Sequence, residues 1–137
     1  QTVKNILLKS TNIKKWGLYD HFLPKWHSKR ISLIGDAAHP MLPFMAQGGS
    51  ASLEDSFVLS HLIRNSKNIS DAFSRFQKIR NKRVKSIQRM SSRNRFAFHQ
   101  SLLIRRLIFK ILKLFPFILL SRLKMIYNYD VVSRIKN

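Results

Sequence analysis

The stretch LIGDAAHPMLPFMAQGGSASLEDSFVL, residues 33–59, differs in composition from the chain around it. It contains three of the four glycines, two of the four prolines and three of the six acidic residues, and it has no Lys or Arg. All 26 basic residues lie outside it, and they give the protein of 137 residues a formal charge of +20. A turn-rich stretch without positive side chains therefore stands apart from the basic surface and is the first candidate for a site.

The hydrophobic pattern predicts a strand, a loop and a helix across this stretch. RISLIGD (30–36) is apolar and β-branched and ends in Gly-Asp, which is typical of a buried strand. Two prolines and the Gly48-Gly49 pair then oppose regular structure, so a loop follows. From Ser50 to Arg64 apolar residues recur at three- and four-residue steps, which predicts a helix with two acids near its positive end.

A strand that leads through a loop into a helix suits a ligand site at the carboxyl edge of an open sheet. Gly35 has no Cβ and permits close approach of a ligand or another backbone. Asp36 can accept hydrogen bonds from a pair of sugar or polyol hydroxyls. Gly48 and Gly49 leave backbone N–H groups at the helix start available to an anionic or polar acceptor. These residues predict an α/β site for a polyhydroxylated, partly anionic ligand.

Composition narrows the classes of partner. The absence of cysteine excludes disulfides and thiolate metal sites and fits a reducing compartment. Four histidines show no metal-ligand spacing, so no metal site is expected: His21, His27, His61 and His99. The positive charge favours an anionic partner such as nucleic acid, acidic lipid or an acidic subunit, although a base-biased genome produces the same excess. No aromatic-basic binding module is recognisable, so no nucleic-acid partner is expected.

The C-terminal half is predicted to be helical and basic. Helices are expected over residues 71–99 and 101–129, the second broken or kinked at Pro116, and residues 75–137 carry 17 Lys or Arg and one acid. The amphipathic stretch 101–126 suits the surface of an anionic membrane, but its charges and its proline prevent it from spanning one. Packing of its apolar face on other parts of the same protein is the preferred interpretation.

The string GDAAHPMLPFMAQGGSASLEDSFVL (35–59) closely resembles the second FAD-binding signature of the class A flavoprotein monooxygenases, aromatic hydroxylases that include salicylate hydroxylase. The family pattern is Gly-Asp-Ala-Ala-His, a short Pro-bearing loop, a Gln-Gly step and then Glu-Asp-Ala-x-x-Leu on a helix. A weaker resemblance covers residues 16–36, 92–100 and 125–132. One departure is Met45, where many members have Gly and the salicylate hydroxylase-like subgroup tolerates a bulky apolar residue.

The resemblance implies roles for individual residues. Asp36 would hold the ribityl hydroxyls of FAD, while Gly35 and Ala37 would let the cofactor lie against the end of the strand. Pro43 matches the loop proline whose carbonyl faces the reactive edge of the flavin and the substrate, and it is the one catalytic position. Four consecutive residues would present backbone N–H groups to the pyrimidine carbonyl and so stabilise reduced flavin: Gln47, Gly48, Gly49 and Ser50.

The neighbouring residues are expected to have supporting roles. Glu54 and Asp55, one turn into the helix, would be structural rather than catalytic. His39 is expected to be a structural hydrogen-bonding residue and not a base. Leu42 and Phe44, together with the loop proline, would exclude water from the flavin.

The implied fold is α/β: the C-terminal part of a Rossmann-type FAD-binding fold, with its last parallel strand and flavin loop (the 35–50 loop), followed by basic helices. Residues 1–30 would be the end of a substrate-domain sheet and its connecting loop. Residues 31–66 would complete the FAD-binding domain, and residues 67–137 would form a C-terminal helical region. The family's first signature, Gly-x-Gly-x-x-Gly, does not occur. The chain is therefore expected to be a C-terminal fragment that is inactive alone.

The implied function is hydroxylation of a small phenolic or salicylate-like substrate by an FAD enzyme that uses NAD(P)H and O2. The expected partners are that substrate and the missing N-terminal part of the same enzyme, and the expected location is the cytoplasm. The alternative is a non-enzymatic, basic amphipathic helical protein on an anionic membrane surface. In either case, peripheral contact with the inner membrane surface through residues 101–126 stays open.

Overall fold

The computed structural model describes residues 2–135 of the chain. These residues contain five α-helices and one short β-hairpin. In chain order the elements are α1 (Thr2–Lys9), β1 (His27–Ser28), β2 (Ile31–Ser32), α2 (Gly48–Asn65), α3 (Ile69–Phe98), α4 (Leu102–Leu114) and α5 (Pro116–Tyr127). Two single turns of 3-10 helix, Gly35–Ala37 and Pro43–Met45, lie within the 35–50 loop.

Within the described residues, the strand before the loop is shorter than predicted and has one neighbour, which is antiparallel. β1 and β2 pair antiparallel, with His27 opposite Ser32. The prediction of a strand over 30–36 is wrong at its C-terminal end, because the chain enters a 3-10 turn at Gly35. A strand needs a hydrogen-bonded neighbour, and β1 is the only neighbour of β2 within the described residues.

The core lies between α2 and α3, which form an antiparallel helical hairpin. Both helices were expected from the apolar period; α2 begins two residues earlier than predicted and α3 ends one residue earlier. Asn68 caps α3 by accepting a hydrogen bond from the Asp71 N–H at 2.9 Å. The main buried cluster combines Trp26, which precedes β1, and Ala38 of the loop with residues of α2, α3 and the C-terminal turn: Val58, Leu62, Ala72, Phe76, Val84 and Ile135.

The C-terminal helices differ in how they meet this core. Pro116 separates them, as predicted, and stands in the first turn of α5, where its missing N–H is not needed. Ile126 of α5 packs against Ile87 and Met90 of α3. α4 has no buried residue and holds its apolar side chains at the surface. Within residues 2–135, no helix has the length and hydrophobicity needed to cross a membrane.

Truncation of the central aromatic should destabilise this fold strongly. Phe76 is 0% exposed between α2 and α3, so Phe76→Ala should lower the free energy of unfolding by about 3–5 kcal/mol. Phe96, on the same helix but 71% exposed, is the matched control, and Phe96→Ala should change stability by less than about 0.5 kcal/mol. Urea denaturation measures both. Equal losses for the two variants would contradict the assigned core.

Candidate functional site

A buried carboxylate, that of Asp55 on α2, joins three segments of the chain. Its Oδ2 atom accepts hydrogen bonds from the Gly35 backbone N–H at 2.9 Å and from His39 Nε2 at 2.5 Å. Its Oδ1 atom accepts a hydrogen bond from Arg80 Nε at 2.7 Å. The side chains of Asp55 and Arg80 are both 0% exposed. A single side chain therefore fixes the first half of the 35–50 loop and the middle of α3 relative to α2.

A second acid extends this cluster towards the C-terminus. Glu54 lies 2.5 Å from Arg80 Nη1 and 3.2 Å from Arg83 Nη2. Arg83 also donates to two carbonyl groups at the end of α5, each at 2.9 Å, and its guanidinium stands 4.2 Å from the ring centre of Tyr129. Both acids of α2 thus form ion pairs inside the protein, which agrees with the structural roles expected for them.

The buried pair of Asp55 and Arg80 is ionised at neutral pH. Burial by itself would raise the pKa of Asp55, but hydrogen bonds from His39, Arg80 and Gly35 outweigh burial and hold this pKa below its usual value. Burial would lower the pKa of Arg80, but the carboxylates of Asp55 and Glu54 reverse that effect and raise it. Because an ionised carboxylate can only accept, His39 must carry its proton on Nε2. His39 is thus a buried donor, which fits the structural role expected for it.

Asp36, by contrast, points a carboxylate towards the surface beside the start of α2. A Cβ atom added to Gly48 would lie 3.8 Å from Asp36 Oδ1. Asp36 is exposed, and it forms no salt bridge within the described part of the chain. The carboxylate and the helix start that the sequence assigned to one site are therefore neighbours. Ala37, also assigned to the cofactor, is exposed next to them.

The first turn of α2 presents backbone N–H groups rather than a side-chain cap. Gln47 occupies the N-cap position, is largely buried and makes no capping hydrogen bond with its side chain. The Ala51 N–H donates to the Gln47 carbonyl at 2.9 Å. This is the first i to i−4 hydrogen bond of the helix. The amides ahead of it carry the positive end of the helix dipole: Gly48, Gly49 and Ser50.

The second turn of the loop carries the proline assigned to catalysis. Pro43 is exposed, and its carbonyl accepts a hydrogen bond from the Ala46 N–H at 3.1 Å. Phe44 is half-buried and stacks with Phe98, with 6.1 Å between ring centres. Leu42, expected at the same water-excluding surface, is instead 3% exposed and faces the interior. Two of the three expected barrier residues therefore reach the surface of the loop.

Three polar side chains of α3 also hold the loop, and the sequence reasoning missed them. Gln88 Nε2 donates to the Pro40 carbonyl at 2.7 Å, and Ser91 Oγ donates to the Leu42 carbonyl at 2.5 Å. Asn94 Nδ2 donates to the Phe44 carbonyl at 3.2 Å. Their spacing at 88, 91 and 94 puts them on one face of a helix. Polar residues that recur every three positions on this helix were the sequence signal that could have predicted these contacts.

The comparisons with known proteins identify the family of the chain. Residues 2–89 match the family model described as FAD binding domain. A FAD-dependent monooxygenase, phomE, from Diaporthe leptostromiformis is 38% identical over 96 residues, which cover 67% of this chain and 26% of that protein. The 6-hydroxynicotinate 3-monooxygenase of Pseudomonas fluorescens is 34% identical over 96 residues, covering 68% of this chain and 25% of that protein.

A solved structure shows the same relationship in three dimensions. Klebsiella pneumoniae HpxO, complexed with FAD and uric acid, superposes with a TM-score of 0.57 at 27% identity, covering 61% of this chain and 22% of that one. The fold and the loop define a segment of a flavin-binding protein. The chain belongs to the FAD binding domain family, and its resemblance to the FAD-dependent aromatic monooxygenases is confirmed. It spans about a quarter of the length of the curated relatives it matches.

Two glycines of the site should differ in how well they tolerate an added methyl group. Gly35 has φ +56°, and a Cβ there would lie 2.7 Å from Ser52 Oγ. Gly35→Ala should therefore lower the free energy of unfolding by about 1–2 kcal/mol. Gly49 has no neighbour within 4 Å of the position of an added Cβ, so Gly49→Ala should preserve stability. Thermal unfolding distinguishes the two, and an unaffected Gly35→Ala variant would contradict the strained turn.

Acid should weaken the Asp55 cluster in a predictable range. Because the pKa of Asp55 in the folded protein is lowered from 3.8, its contribution to stability is complete above that value and is lost as pH falls through the folded pKa. The difference in unfolding free energy between the native protein and Asp55→Asn should therefore be constant from pH 7 to 5 and shrink below about pH 4. Urea denaturation across this range measures it. A constant difference down to pH 2 would contradict an ionised Asp55.

Proposed function

We propose that this chain forms the C-terminal part of the FAD-binding fold in an NAD(P)H- and O2-dependent monooxygenase that hydroxylates a small phenolic or salicylate-like substrate. The observation that carries the proposal is the exposed carboxylate of Asp36 next to the uncapped start of α2. The family match adds FAD as the cofactor. Relatives named for aromatic substrates, among them a 3-hydroxybenzoate 6-hydroxylase of Aquipseudomonas alcaligenes, support the substrate class.

The residues present fit one end of FAD. Asp36 is an acceptor-only group at the surface, which suits a chain of ribityl hydroxyls. Gly49 has open space where a side chain would stand, so an approaching ring system meets backbone N–H groups directly. In this proposal Gly35 and Ala37 leave room beside Asp36. The four residues Gln47, Gly48, Gly49 and Ser50 direct their amides at the pyrimidine carbonyl.

FAD, when bound, would supply the redox chemistry between NAD(P)H and O2. This chain's share is binding and electrostatics. The positive end of the α2 dipole favours negative charge that gathers on the ring during reduction. No Lys or Arg occurs between residues 33 and 59, so the backbone amides supply this field without a side-chain cation that would bind other anions.

The exposed turn at Pro43 is the proposed substrate-facing part of the loop. Pro43 fixes its own φ and starts the 3-10 turn, and Ser91 and Asn94 of α3 anchor the carbonyls on either side of it. A rigid turn can hold its carbonyl, proposed as the catalytic contact, at one distance from the reacting ring. Phe44 beside it supplies an apolar surface that excludes water.

The proposed whole enzyme supplies what these residues lack. The segment that contains β2 would lie at the end of a parallel sheet provided by the N-terminal part, which would also carry the Gly-x-Gly-x-x-Gly turn for the pyrophosphate. Residues 1–30 would then belong to the end of the substrate-domain sheet, 31–66 to the FAD-binding domain and 67–137 to the C-terminal helical region. The exposed apolar face of α4 is assigned to packing on this N-terminal part.

The alternative of a non-enzymatic protein on an anionic membrane is not favoured. The family model and the relatives match the part of the chain that contains the loop. A basic surface protein would have no need of a neutral loop with a buried ion-pair cluster beneath it. We propose that the enzyme is cytoplasmic. The proposed function does not require contact of residues 101–126 with the inner membrane surface.

Removal of the Asp36 charge should impair flavin binding in the full-length protein. Asp36→Ala removes the acceptor for the ribityl hydroxyls, so the dissociation constant for FAD should rise about tenfold or more, and hydroxylation should fall when FAD is limiting. Quenching of flavin fluorescence measures binding. Asp71→Asn removes an acid at the start of α3, away from the loop, and is the matched control. Unchanged FAD affinity in Asp36→Ala would show that Asp36 has no part in the site.

A further inference from the structure

We infer that Asp55 is the positioning residue of the FAD site: it does not touch the cofactor, and it sets the geometry of the 35–50 loop that does. This inference rests on the proposed function. It concerns contacts that lie wholly within the described chain, so it does not depend on how the rest of the enzyme covers this surface. The side chains of Asp36 and Pro43 reach the surface of the loop, whereas Asp55 is 0% exposed beneath it.

The first step is connectivity. Asp55 Oδ2 binds the N–H of Gly35 at 2.9 Å, and Gly35 is the residue directly before Asp36. Asp55 itself stands two turns into α2, the helix whose first amides form the other half of the site. The carboxylate at position 55 therefore ties the backbone that carries Asp36 to the helix that carries the amides, so the two halves of the site cannot move apart while this bond holds.

The second step is chemical specificity. Every group that faces the Asp55 carboxylate is a donor: the Gly35 N–H, His39 Nε2 and Arg80 Nε. Both oxygens must accept, and only a carboxylate has two acceptor oxygens. Asparagine has the same shape, but its amide NH2 would face a donor on one side or the other. Asp55→Asn therefore replaces an attraction with a donor–donor contact while the volume of the core is unchanged.

The third step is charge balance. A lone buried carboxylate near the start of α2 would oppose the positive end of the helix dipole and disfavour negative charge on a bound ring. Arg80 neutralises it at 2.7 Å and also donates to the Ala51 carbonyl in the first turns of α2, at 3.2 Å. Arg80 thus lets Asp55 hold the loop in place without weakening the field that the amides provide.

The test uses Asp55→Asn in the full-length enzyme, with FAD itself as the probe. Relaxation of the loop should weaken FAD binding about tenfold, the cost of an unsatisfied buried donor. It should also shift the midpoint potential of the FAD that still binds, because the α2 amides no longer face the pyrimidine carbonyl closely and the Asp55 charge no longer balances Arg80. A purely structural role would reduce thermal stability but leave the potential of bound flavin unchanged. The potential is therefore the decisive readout.

Two further variants complete the test. Ser56→Ala changes the next residue of α2, which is exposed and bonded only to the helix backbone, and should leave FAD affinity and potential as in the native enzyme. His39→Gln, for use if Asp55→Asn fails to fold, keeps the Arg80 pair and should weaken FAD binding by a smaller factor in the same direction. Native affinity and native potential in Asp55→Asn, or in His39→Gln, would overturn the inference. A native enzyme that binds no FAD would instead overturn the proposed function.

Discussion

The structure depends on one buried carboxylate that has a donor on every side. Asp55 holds the first half of the 35–50 loop through Gly35 and His39, and it holds the long helix α3 through Arg80. Removing one partner from such a cluster leaves an uncompensated polar group in the interior, which costs far more than the loss of a surface ion pair. The loop has no regular structure beyond two 3-10 turns, so these contacts define its shape.

This constraint explains how a very basic protein keeps a neutral loop. Basic residues next to the start of α2 would compete with its amides for any anionic group, and the sequence has none between residues 33 and 59. Arg80 and Arg83 of α3 form ion pairs with the acids of α2: Arg80 with both Glu54 and Asp55, and Arg83 with Glu54. The exposed field at the site then comes from backbone dipoles and from Asp36, which is a suitable environment for a polyhydroxylated ligand with a polar ring.

Local features of the fold and site were predictable from the sequence, and features that need distant partners were not. The apolar period predicted α2 and α3, and the Gly-Asp and Gly-Gly steps predicted the 35–50 loop ahead of α2. Arg80 looked like one of many solvated cations, because its burial depends on an acid 25 positions earlier in the chain. The strand over 30–36 was predicted too long, because hydrophobicity indicates a strand but cannot supply its neighbours. The roles of polar residues 88, 91 and 94 were not predicted, because their acceptors are carbonyls of a loop about 50 residues away in the chain.

The most direct measurement is a crystal structure of the full-length enzyme grown with FAD. We expect electron density for the ribityl chain within hydrogen-bonding distance of the Asp36 carboxylate and density for the pyrimidine ring against the amides of Gly48 to Ser50. Asp55 should remain beneath the loop and out of contact with the cofactor. Density for the flavin elsewhere, or an Asp36 turned away from an occupied site, would contradict the account.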